Sequence, residues 1–120
     1  VKNIYVIETP PPKGDAEYLV PYLTKSELFR KLADISGLKI TPESINPASV
    51  RQKLWRETQN ISLDVAKKCG ATYIPIPPDV MEPDGTLKSQ YWAKDVTHAN
   101  ISYGSRIRSY LTELSNKGVI

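Results

Sequence analysis

The chain has 120 residues, with 40% hydrophobic and 24% charged side chains and a formal charge of +3. That suits one folded domain with a single core, and it excludes both a disordered chain and a bilayer-spanning run of about 18 apolar residues. The small charge, with Arg30-Lys31 and Lys67-Lys68 as the adjacent basic pairs, gives no footprint for nucleic acid, and the lone Cys69 removes any intrachain disulfide framework or cysteine zinc site.

In chain order, Ile4-Tyr5-Val6-Ile7 reads as a strand covered on both faces, as in a parallel sheet. A chain that opens on such a strand reads as part of a longer protein, with Val1 as a boundary. The run Pro10-Pro11-Pro12 stops the strand, and a loop is expected to about Leu23. Thr24-Lys25-Ser26-Glu27 offers a capping box for a helix with Leu28, Leu32 and Ile35 on one face, Phe29 and Ala33 beside them, and Gly37 at its end. Asn46-Pro47 signals the next helix, with Asn46 as N-cap. Val50, Leu54, Ile61, Val65 and Cys69 form its apolar stripe, and Gly70 closes it; Asn60 to Ser62 leave a break into two pieces open. Ala71 to Ile76 predicts a second strand, Pro83-Asp84-Gly85 a turn, and Asn100 the start of a last helix. That helix turns Tyr103, Ile107, Tyr110, Leu111 and Leu114 inward and ends at Gly118. Two strands separated by helices imply a parallel crossover and an α/β class.

The single histidine, His98, falls in the loop Asp95-Val96-Thr97-His98-Ala99-Asn100, after the second strand and before the last helix. Ligands of open α/β sheets gather beyond the carboxyl ends of strands, where such loops lie. A carboxylate three residues earlier can fold back onto the imidazole Nδ1–H, fix the tautomer that leaves Nε2 free as a base, and stabilise the imidazolium. The plainer alternative is a capping region with a solvent-facing ring. Tyr91 and Trp92 are candidate cleft-lining residues or core. Asn100 is a helix cap or a substrate contact. Ser102 and Ser105 belong to the helix surface, and no serine stands in a nucleophile elbow. With one histidine no metal centre is expected, although Asp79, Glu82 and Asp84 leave an oxygen-only calcium site open; without a phosphate-binding glycine loop no cofactor is expected.

Ile74-Pro75-Ile76-Pro77-Pro78, Asp84-Gly85-Thr86-Leu87, Tyr91-Trp92, the Asp95 to Asn100 loop and Tyr103-Gly104 together resemble the C-terminal part of SGNH (GDSL-type) serine hydrolases. The resemblance covers about residues 71–115, and more softly the first strand with Glu8-Thr9-Pro10-Pro11-Pro12. It implies a flavodoxin-like three-layer α/β/α fold with parallel strands, and hydrolysis of small esters or acyl groups through an acyl-enzyme. His98 would be the general base and Asp95 its orienting carboxylate. The family's Gly-Asp-Ser block, its second glycine block and its Gly-x-Asn-Asp block have no counterpart here; Gly14-Asp15-Ala16 reads as an ordinary turn. Residues 1–120 are therefore expected to be a single, incomplete domain, the C-terminal half of such a hydrolase, inactive alone. The nucleophilic serine and oxyanion hole would lie on an N-terminal half. The expected partners are that half or a second copy, with an acylated small molecule, an acylated carbohydrate among them, as substrate. The alternative is a noncatalytic α/β binding domain on the same scaffold.

Overall fold

A computed structural model describes residues 3–120. The chain is mixed helix and strand. Two short strands, β1 (Tyr5–Ile7) and β2 (Thr72–Ile74), pair in parallel with Tyr5 opposite Thr72. Between them run α1 (Ala16–Lys25), α2 (Glu27–Ser36) and α3 (Ala48–Lys68), and α4 (Ile101–Asn116) follows a long connection containing two single 3-10 turns. The parallel crossover of the sequence reading is present. Coverage of β1 on both faces is not: Tyr5 and the preceding Ile4 are exposed, and among the described residues the sheet holds β1 and β2 alone.

The expected loop up to Leu23 is replaced by α1. Asp15 caps it, accepting from the N–H of Glu17 at 2.9 Å and of Tyr18 at 3.3 Å, so Gly14-Asp15 is a helix start and Pro21 sits inside the helix. The cap of α2 moves likewise. Thr24 gives its hydroxyl to the Val20 carbonyl within α1, and Ser26 accepts from Phe29 N–H instead. Gly37 ends α2 at φ 68°, as the sequence predicts. Leu28, Leu32 and Ile35, however, stay exposed.

α3 starts at Ala48, one residue later than the Asn46 signal, and runs unbroken through 60–62. Its predicted stripe of Val50, Leu54, Ile61, Val65 and Cys69 faces outward, and Trp55, Gln59 and Ala66 are buried instead. Moving one residue along a helix rotates the face by about 100°. The inward face is chosen by hydrogen bonds as much as by apolarity. Trp55 Nε1 and Gln59 Nε2 both donate to Thr9 Oγ1, at 3.1 and 2.7 Å, and Thr9 N–H donates to Gln59 Oε1 at 3.1 Å. A buried amide is tolerated because all of these groups are paired.

The core lies between α3, the segment following β2 and α4. Trp55, Ile76, Val80, Leu87 and Tyr103 form it, with Ile7, Met81, Trp92 and Ile107 packed around. Of the residues expected inward on α4, Tyr103 is buried and Ile107, Tyr110, Leu111 and Leu114 are half-buried.

The turn after Pro83 is shaped by Asp84, whose Oδ1 accepts from Thr86 N–H at 2.9 Å and Thr86 Oγ1 at 2.6 Å. Gly85 follows at φ 84°, and a Cβ there would stand 2.8 Å from Gln52 Nε2. Gly85→Ala therefore combines left-handed strain with a steric conflict, and should lower stability by about 1–3 kcal/mol in urea denaturation. Unchanged stability would mean the turn rearranges freely.

Candidate active site

The site forms where the chain leaves β1 and meets the loop before α4. Beyond β1 the proline run is anchored at both ends. Thr9 is tied to α3 as above, and Pro12 O accepts Leu87 N–H at 2.9 Å. Arg51, on α3, donates to the carbonyls of Lys13 and Gly14. Burial pulls the Arg51 guanidinium below its usual range.

The second wall is a closed loop. Trp92 and Ala99 form an antiparallel bridge, with Ala93 N–H donating to His98 O at 3.1 Å and Asn100 N–H to Tyr91 O at 2.9 Å. Asp95 sits at its tip and organises it. Its Oδ1 accepts from Thr97 N–H at 3.0 Å and His98 N–H at 2.7 Å, the fold-back expected of a short acidic side chain in a turn. Its Oδ2 stands 2.7 Å from His98 Nδ1.

The His98 ring is 79% exposed and the Asp95 side chain 40%. No serine hydroxyl hydrogen-bonds His98 among the described residues, and Ser102 and Ser105 are exposed on α4. Partial burial works to raise the Asp95 pKa. It is outweighed by the His98 N–H bond, the Lys13 ammonium and the imidazole contact, which hold the carboxyl down at about 2. Asp95 is therefore a carboxylate, and an acceptor, across the neutral range.

The other residues singled out in sequence support this loop from below. Trp92 Nε1 donates to Leu87 O at 2.8 Å, and its ring packs 4.7 Å from that of Tyr18. Tyr91 sets its ring edge-on to Tyr103 at 5.9 Å. Asn100 caps α4 by accepting Tyr103 N–H at 3.0 Å, and its amide donates to Gln90 O at 2.8 Å. Two of the acidic residues of 79–84 are engaged elsewhere: Asp79 pairs with Arg106 at 2.8 Å, and Asp84 holds its turn.

Sequence reasoning missed Lys13. Its ammonium is fully buried beneath the Asp95 loop. Beside it an open cavity of about 230 Å³ is lined by the proline run, Arg51, Trp55, Val96 and Thr97. A lysine after three prolines carries no signal by spacing.

No protein-family model, curated protein or solved structure matches this chain.

Proposed function

We propose that this chain supplies the general base and its orienting carboxylate, His98 and Asp95, to a Ser-His-Asp triad that cleaves small esters or acyl groups. The fold is then the C-terminal half of a flavodoxin-like three-layer hydrolase of SGNH type, with the serine and oxyanion donors on a segment outside residues 1–120. The observation that carries the reading is the 2.7 Å contact of Asp95 Oδ2 with His98 Nδ1, on a ring otherwise open to solvent. The sequence resemblance over about residues 71–115 adds the reaction class.

The chemistry follows from that pairing. With Nδ1–H held by Asp95, Nε2 carries the free lone pair. It takes the serine proton as Oγ bonds to the acyl carbon, and returns it to the leaving oxygen as the carbon–oxygen bond breaks. Water then attacks the acyl-enzyme with the same base, releasing the acid and the serine. Asp95 stays ionised throughout, balancing the transient imidazolium.

The uncovered side of the sheet supports a completing segment. Thr72 N–H donates to Ile4 O and Glu8 N–H to Ile74 O, so alternation turns the N–H and C=O groups of Tyr5 and Ile7 to the open edge of β1. Between Ile4 and Val6 on one side and α3 on the other lies an apolar groove of about 320 Å³, where Ile61 and Val65 of α3 are 64% and 53% exposed. A further strand would pair the edge and a further layer would cover the groove.

The test is intact-mass spectrometry of the whole gene product after a fluorophosphonate serine probe. An adduct on a companion chain or adjoining segment, abolished by His98→Ala, is the expected result. An adduct within residues 1–120 would relocate the nucleophile. A folded sample with no adduct would favour a noncatalytic binding domain.

A further inference from the structure

A lysine ammonium taken out of water needs an acceptor for each of its three donors. Lys13 Nζ has three: Ala93 O at 2.7 Å, Asp95 O at 2.6 Å and Asp95 Oδ1 at 3.1 Å. Its charge also faces the Tyr18 ring, 5.4 Å from the centroid. The backbone under it is fixed by Leu87 and Arg51. The ammonium is thus a rigid post against which the Asp95 loop closes.

We propose that Lys13 is the positioning residue of the Asp95–His98 pair, fixing the loop backbone through two carbonyls and assigning the two carboxylate oxygens different partners. The inference rests on the triad reading for its catalytic meaning. With Lys13, Oδ1 takes three donors: the ammonium, Thr97 N–H and His98 N–H. Among the described residues, Oδ2 is left to the imidazole alone. A base oriented by a carboxylate works only while that carboxylate accepts rather than takes up the proton. A cation on the far oxygen enforces this by disfavouring protonation of Asp95. Tyr18 helps hold the loop, its hydroxyl donating to Ala93 O at 2.8 Å, but it does not touch the carboxylate.

The two contributions separate experimentally in the complete protein. In Lys13→Met, carboxyl carbon NMR should show the Asp95 midpoint rising from about 2 toward the ordinary 3.8, by about one pH unit. Ester turnover should fall by up to about 100-fold, in kcat rather than KM. Lys13→Gln keeps hydrogen-bond donors for the carbonyls but no charge, and should show the same midpoint shift even if the methionine variant does not fold. Tyr18→Phe removes one loop anchor and should leave the midpoint at about 2. An unshifted Asp95 midpoint in a folded Lys13 variant would overturn the proposal, as would an equal loss of kcat in Tyr18→Phe. If wild-type protein takes no probe and turns over no ester, the triad reading fails, while the Asp95 midpoint still decides whether Lys13 governs the carboxylate.

Discussion

Asp95→Asn should slow fluorophosphonate labelling of the complete protein by up to about 10⁴-fold. The size of the effect comes from direction of donation. A carboxylate accepts from Nδ1–H and leaves Nε2 with a lone pair. An amide can turn its NH₂ toward Nδ1 instead, which puts the ring proton on Nε2 and removes the base without disturbing the ring's position. The same variant carries a pH signature. The folded Asp95 pKa is depressed from 3.8 to about 2, so its contribution to stability is complete above pH 3.8 and disappears as pH falls through about 2. The stability difference between wild type and Asp95→Asn should therefore narrow on acidification across that window. Labelling at the wild-type rate, or a difference constant down to pH 2, would remove Asp95 from its role.

Trp55→Ala should destabilise the chain by about 3–5 kcal/mol in urea denaturation. Trp55 joins the core residues Ile76, Val80, Leu87 and Tyr103. It also holds Thr9 through Nε1 and carries the Arg56 guanidinium 4.5 Å over its ring. Removing it opens a cavity and frees the proline run that delivers Lys13. Leu54→Ala, one residue earlier on the exposed face, should change stability by no more than about 0.5 kcal/mol. The pair of variants reads the rotation of α3 directly, and similar losses at both positions would contradict the packing described here.

That rotation also marks how far the sequence could be read. An apolar stripe is a sound guide to the buried face when one core is the only demand on a helix. In α3 the buried face carries Gln59 and Trp55, whose polar atoms are satisfied by Thr9, some fifty residues away in sequence. No local pattern encodes that partner. The N-cap of α4 and the glycine ends of α2 and α4 were legible because they depend on residues within one turn. α1 was obscured by Pro21 and by the prolines before it, although Asp15 held the start signal. The pairing of Asp95 with His98 was legible for the same local reason as the caps. Lys13 was not: Lys and Asp lie far apart in sequence, and a lone lysine is ordinarily a solvated surface charge.

The register of the two strands has a consequence for how the molecule assembles itself. Tyr5 meets Thr72 only after α1, α2 and α3 have all been threaded between them. Closing so large a loop costs entropy before the first ladder bond forms, whereas helices grow from neighbours in sequence. The helices are therefore expected to form ahead of the sheet, an order that pulse-labelling hydrogen exchange would read. The proline segment that carries Lys13 follows the end of that sheet, so the seat of the Asp95 loop is expected among the last parts of the chain to gain protection.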